Sequence, residues 1–213
     1  MKHTDQIGKY ITEWKANKEK GTTLGDKLQK YLDAYDLYND IAHFKEAEEF
    51  VSMIEERITE NEEELTKNNN TYENLMANLY NKLALFYQNF KQNYNRAEMM
   101  FEKSLILYKR INGEDNSDNA ALYNNLAVFY EDVRQKYDKA EEYYEKSLQI
   151  RKKVLGEEHP STATSFLNFG IFLKDVRKRE VEGRKLISQA YEISKRILGE
   201  EHGDTKRALA WLN

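Results

Sequence analysis

The sequence predicts an all-α chain of stacked, antiparallel helix pairs. Three observations carry this: an internal repeat of 43 residues, apolar side chains at helical spacing within each copy, and a scarcity of helix-breaking residues. The 213 residues include one proline and nine glycines. Proline interrupts helix interiors and favours turns, so few irregular stretches are expected.

The repeat is read directly from the chain. Residues 79–114 lie over 122–157 at a constant offset of 43 without a gap, and 18 of 36 positions are identical. Composition alone would give about two or three. The shared residues include Leu79/Leu122, Asn81/Asn124, Leu83/Leu126, Ala84/Ala127, Phe86/Phe129, Tyr87/Tyr130, Ala97/Ala140 and Ser104/Ser147. A further step gives a weaker copy, in which Asn125 maps to Asn168 and Asp132-Val133-Arg134 to Asp175-Val176-Arg177. Another partial copy starts at Asp204 and runs to Asn213.

Each copy reads as two helices. Leu122, Leu126, Phe129 and Tyr130 share one helical face, and Ala140, Tyr144, Ser147 and Val154 another. Gly113, Gly156 and Gly199 are expected to close the second helices, because glycine accepts the backbone conformations that end a helix. Lys109-Arg110, Lys152-Lys153 and Lys195-Arg196 precede them, where cations favour the negative end of the helix dipole. Pro160 suits a first helical position. Small residues stand 13 apart at Ala34/Ala47, Ala84/Ala97, Ala127/Ala140 and Gly170/Gly183, with Ser104, Ser147 and Ala190 seven later. Small side chains let antiparallel helices approach closely. Tyr87, Tyr94, Tyr130 and Tyr137 are expected to pack in the core.

The expected organisation is an N-terminal capping helix at 1–26, a divergent first repeat at 27–66, repeats at 71–113, 117–156 and 160–199, and a C-terminal helix or truncated repeat at 203–213. Ile7, Tyr10, Ile11 and Trp14 give the first segment one apolar face.

Composition narrows the function classes. The balance is 33 basic against 37 acidic residues, a net charge of −4, without the basic excess usual in nucleic-acid binders. The basic runs Arg151-Lys152-Lys153 and Arg177-Lys178-Arg179 read as solvated helix faces. There is no cysteine, so disulfides and cysteine metal or nucleophile sites are excluded. No stretch has the length of a membrane span, and a cytoplasmic setting is expected. The histidines are His3, His43, His159 and His202. The last two occupy one repeat position, which reads as a structural loop element. With no zinc-binding helix motif or phosphate loop, no catalytic residue, metal or cofactor is expected.

The spacings resemble the tetratricopeptide repeat. The period, LYNNLAVFYEDV at 122–133, YDKAEEYYEKSLQIRKKVLGEEHP at 137–160 and DTKRALAWL at 204–212 are similar to its kinesin-light-chain subclass. The resemblance implies a right-handed α-α superhelix, a solenoid of about four helix pairs with N- and C-terminal capping helices, whose first helices line a concave groove. Those helices would present Asn78, Asn81, Lys82, Leu85, Gln88 and Asn89 in one repeat. The next offers Ala121, Asn124, Asn125, Val128, Glu131 and Asp132, and the one after that Thr164, Leu167, Asn168, Ile171, Lys174 and Asp175.

Asparagine is unfavourable inside helices because its side chain competes with the backbone. A carboxamide offers both a donor and an acceptor, suited to the main chain of an extended peptide. The resemblance implies that use for Asn81, Asn124, Asn125 and Asn168; the structural alternative is that they bond neighbouring helices. Asn78, Asn81, Lys82, Gln88, Asn89, Asn124, Asn125, Asn168 and Lys174 are the candidate binding residues. Lys82 and Lys174 could attract an acidic peptide, whereas Glu131, Asp132 and Asp175 oppose a uniformly basic groove. The expected function is a non-catalytic adaptor or scaffold that binds a protein or extended peptide, with no nucleic acid or membrane partner, as a monomer or weak homo-oligomer. The alternative is a regulatory or sensing subunit whose groove holds a neighbouring domain or a second copy.

Overall fold

The computed structural model describes residues 70–89 and 92–213. The expected N-terminal helix and first repeat, including Ala34 and Ala47, lie outside the described residues. The chain forms two compact units, Met1–Ile111 and Asn112–Asn213, and every described element is helical.

The first unit contains α1 (Asn70–Asn89) and all but the last residue of α2 (Tyr94–Asn112). Ala84 and Ala97 are fully buried, and Ser104 Oγ donates to the Ala77 carbonyl at 2.6 Å. Leu79, Leu83 and Phe101 are buried with them. Tyr87 is buried, its hydroxyl accepts from Arg96, and that guanidinium also lies 5.2 Å from the ring centroid. Tyr94, the first residue of α2, is half-buried. Arg110 bridges to Glu73.

The second unit holds α3 (Ser117–Val128), α4 (Tyr137–Leu155), α5 (Pro160–Ile171), α6 (Glu180–Leu198) and α7 (Gly203–Leu212). π-Helical turns at Phe129–Val133 and Phe172–Val176 extend α3 and α5. In these turns the Phe129 carbonyl accepts from the Arg134 N–H and the Phe172 carbonyl from the Arg177 N–H, at 3.3 and 3.1 Å. Gln135 (φ +51°) and Lys178 (φ +57°) then turn the chain through the left-handed region. A left-handed residue costs L-amino acids about 1–2 kcal/mol, and neither residue type signals the turn in the sequence.

Helix pairs are locked where their side chains are smallest. Ala127 and Ala140 are fully buried, as are Ala120 and Ser147 one crossing further, where Ser147 Oγ donates to the Ala120 carbonyl at 2.8 Å. In the next pair Gly170 and Gly183 bring two backbones together. A Cβ on Gly183 would sit 2.6 Å from the Gly170 carbonyl oxygen and 2.6 Å from the Lys174 nitrogen. Phe166, Leu167, Ile187, Ala190 and Ile193 pack around this crossing with Ala208 of α7.

The expected ends hold. Gly156 (φ +87°) and Gly199 (φ +89°) close α4 and α6, their N–H groups bonding to the Lys152 and Lys195 carbonyls. Pro160 is the first residue of α5. Asn116, His159 and His202 occupy one repeat position and cap α3, α5 and α7. His159 Nδ1 accepts from the Ser161 N–H at 3.1 Å and His202 Nδ1 from the Asp204 N–H at 3.2 Å. Asn119, Thr162 and Thr205, also 43 apart and buried, donate to the carbonyls of Gly113, Gly156 and Gly199. The Glu-Glu-His loop is therefore a capping device.

Two core expectations differ. Val154 is 44% exposed. In the antiparallel register set by Ala127/Ala140 and Ala120/Ser147 it would face Gly113, a turn without a side chain. Tyr137 is 37% exposed, being the first residue of α4, whereas Tyr130 is buried.

Gly183→Ala should lower stability by about 1–3 kcal/mol, because its methyl group meets backbone atoms that move only if the helices separate. Gly156→Ala should cost about 1–3 kcal/mol through backbone strain alone, since nothing lies within 4 Å of its Cβ position. Urea unfolding followed by circular dichroism measures both.

Candidate functional site

The candidate residues fall on exposed stripes of the first helices. In the first unit Asn78, Asn81, Lys82 and Gln88 are half-buried and Asn89 is exposed, all on one face of α1. Gln88 Oε1 is buried and has no hydrogen-bond partner among the described residues. In the second unit Asn124, Asn125, Asn168 and Lys174 are half-buried, with Ala121, Val128, Thr164 and Ile171 beside them, while Leu167 is buried.

Asn124 and Asn168 come together. The Asn168 Nδ2 donates to Asn124 Oδ1 at 2.9 Å, joining α5 to α3. Each carboxamide keeps one polar atom with no protein partner among the described residues: the Asn124 amino group and the Asn168 carbonyl. The pair therefore serves the fold and still presents a donor beside an acceptor.

Lys174 does not project as an isolated charge. Its ammonium donates to the Trp211 carbonyl at 2.7 Å and lies 5.7 Å from the Trp211 ring centroid. Arg184 donates to the Leu212 carbonyl at 2.9 Å. Two cations thus satisfy the carbonyls at the end of α7, where positive charge is favoured.

The far end of the α3–α5 seam is acidic. Tyr144, from α4, donates its hydroxyl to Glu131 Oε2 at 2.7 Å, stacks on Phe169 and meets the Phe172 ring at a tilt. Burial holds the Glu131 carboxyl above its ordinary range; the Tyr144 bond works against this, and the charges of Asp132 and Asp175 add to it. Burial raises Asp132 as well. Burial and the neighbouring Glu131 charge push the Tyr144 hydroxyl up, so it stays protonated and donating.

The basic runs separate into different environments. Arg177 pairs with Asp138 and Glu141, and Arg179 with Glu141 and Glu182. Lys152 and Lys153 are exposed, whereas Arg151 is half-buried. Its Nη1 donates to the Ser161 carbonyl at 2.7 Å and to Ser165 Oγ at 2.8 Å. The equivalent repeat positions hold Tyr108 and Ser194, and Ser165 stands where Leu122 stood. That joint departure was the available signal that Arg151 is not a solvated surface charge. Among the described residues no three His, Asp or Glu side chains are grouped to hold a metal ion, and no helix is long and apolar enough to cross a membrane.

Because the Glu131 carboxyl is raised in the folded chain, the folded state resists its ionisation. Its favourable contribution is complete below the ordinary value of 4.5 and is lost as pH rises through the raised value. Glu131→Gln keeps an acceptor for Tyr144 and cannot ionise. Its melting temperature should exceed that of the parent at pH 7, and the difference should close below pH 4.5 in thermal melts across a pH series.

Comparison with known proteins places this geometry. The tetratricopeptide repeat family model matches residues 75–133 and 118–174. A comparison with curated proteins finds no match. The crystal structure of BtubC (BKLC) from P. vanneervenii is similar to this chain with a TM-score of 0.74 and 19% identity, over 99% of this chain and 79% of that one. The nearly identical TPR-like repeats of a kinesin-light-chain-like protein from Podosopora anserina give a TM-score of 0.66 at 19% identity, over 90% of this chain and 86% of that one. A second crystal structure of those repeats gives 0.67 at 18% identity, over 90% and 85%. At these identities the likeness is one of fold. Over residues 75–174 the chain matches the tetratricopeptide repeat family model, and its fold is similar to that of kinesin-light-chain-type repeats.

Proposed function

We propose that the chain is a non-catalytic adaptor that holds an extended segment of a partner protein against the seam between α3 and α5. The repeat family supports a protein–protein interaction module in general, and its members are typically non-catalytic. The observation that carries the finer reading is the Asn168–Asn124 hydrogen bond. It holds two polar side chains in one arrangement, so less conformational freedom remains to be lost on binding. The remaining amino group and carbonyl match the carbonyl and N–H that an extended main chain presents.

The same seam offers half-buried Val128 and Ile171 for apolar contact, with Asn125 beside them. In this reading Asn78, Asn81, Lys82, Gln88 and Asn89 on α1 form the equivalent surface of the first unit. Repeat boundaries at 71–113, 117–156 and 160–199 follow from the same alignment, with 203–213 as a C-terminal cap or partial repeat. A cytoplasmic setting and a monomeric or weakly self-associating state belong to the proposal.

The double variant Asn124→Ala, Asn168→Ala should keep its helical circular dichroism while capture of partners from a native-host extract, read by mass spectrometry, falls by about tenfold or more, the loss of two hydrogen bonds of about 1 kcal/mol each. Unchanged capture per folded molecule would sink the peptide-holding role. Sedimentation over a concentration range addresses self-assembly: a mass independent of concentration removes a second copy as the occupant.

A further inference from the structure

The face of α6 turned away from its helix crossing has the pattern of one half of a symmetric contact. Gly183, Ile187, Ala190 and Ser194 stand at i, i+4, i+7 and i+11 and are buried. Val181, Lys185, Ser188 and Glu192 follow the same spacing on the opposite side of the helix. All four are exposed, Val181 by 83%. An apolar side chain left so open to water contributes little to the fold, since burial is the source of its stabilisation.

The charges on this face are unanswered within the chain. The Lys185 and Glu192 side chains make no ion pair among the described residues, whereas the neighbouring Arg184 and Lys195 bridge to Glu180 and Glu200. Beside the stripe is a cavity of about 380 Å³. Its apolar lining is Phe166 and Ile193, both buried. Arg196 and Glu158 stand on its rim and bridge to each other.

The stripe is its own complement. A second copy laid antiparallel, with the two-fold axis between Ser188 and Gln189, brings Lys185 of each copy opposite Glu192 of the other, because the two stand equally far from the axis. Val181 of each copy comes opposite Arg196 of the other, beside the cavity that Arg196 lines. The short Ser188 lies at the centre, where close approach of two helices needs small side chains. Two-fold symmetry makes every favourable pair occur twice. The corresponding face of α4 lacks this property. Asp138, Glu142, Glu145 and Gln149 hold the equivalent positions; Glu142 would face Gln149, and it is already bridged to Lys146.

We propose that this face of α6 is a self-association surface, on which a second copy of the chain docks antiparallel through reciprocal Lys185–Glu192 ion pairs while Val181 covers the cavity over Phe166 and Ile193. The assignment is independent of the α3–α5 seam holding a peptide. Two helices meeting on largely polar faces cover less than a standard interface, so the association is weak, with a Kd on the order of 0.1 mM.

The test is sedimentation equilibrium of the full chain from about 10 μM to about 1 mM, which brackets that affinity. The average mass should rise toward that of two chains. Lys185→Glu and Glu192→Lys should each weaken association about tenfold or more, since attraction becomes repulsion at both ends of the contact. Mixed in equal amounts, the two variants should associate as a heterodimer at least as well as the parent does with itself. The double variant Lys185→Glu, Glu192→Lys should regain the parent's behaviour.

These positions are exposed, so circular dichroism and melting temperature should match the parent, and restored association in the mixture itself requires folded chains. Partner capture at the seam should be unchanged in all of them, so either reading can fail without the other. A mass that stays at that of one chain over the whole range overturns the assignment. Association that neither single variant weakens, or that mixing them does not restore, overturns it as well.

Discussion

The close crossing of antiparallel helices at small residues is the constraint that everything else in this chain answers to. At Gly170 and Gly183 two backbones approach until neither position has room for a methyl group, and Ala127/Ala140 and Ala84/Ala97 are fully buried at the corresponding crossings. That approach fixes the register of each pair. The register in turn sets which side chains face the core, each large buried one contributing about 1.5–3 kcal/mol. It also aims the Ser104 and Ser147 hydroxyls at the Ala77 and Ala120 carbonyls.

Within that frame the repeats separate a constant scaffold from a variable surface. The turn devices recur: a closing glycine, a side-chain cap, and a buried Asn or Thr bonded to the glycine carbonyl. The exposed stripe does not recur. Gln88, Glu131 and Lys174 are equivalent in sequence, yet the first leaves a buried oxygen without a partner among the described residues, the second accepts from Tyr144, and the third caps α7 through Trp211. Stability rests on the recurring parts, so the stripe is free to carry a polarity of its own. In the second unit it runs from the Asn124–Asn168 pair to the acids at Glu131, Asp132 and Asp175.

Legibility followed the same division. Ala127, Ala140, Ser147, Gly156 and Pro160 could be assigned from spacing because each role depends on backbone geometry that repeats with the chain. The left-handed residues Gln92, Gln135 and Lys178, 43 apart, could not, because neither Gln nor Lys favours that conformation by its own chemistry. Val154 kept the helical period of the core but lost its cover, since the helix it would pack against begins too late. Arg151 looked like part of a solvated run, and its reach to Ser161 and Ser165 across the α4–α5 contact distinguishes it from Lys152 and Lys153.

The sequence by itself determined the helix pairs, their period and the places where helices touch, because local periodicity and residue size act through the nearest turns. Tertiary structure decided what each stripe residue does. The partner of Asn168 is 44 residues away and that of Lys174 is 37 residues away, and the Arg151 guanidinium is held by Ser161 and Ser165 of the following helix. Those are properties of what surrounds a side chain, which spacing along one helix does not encode.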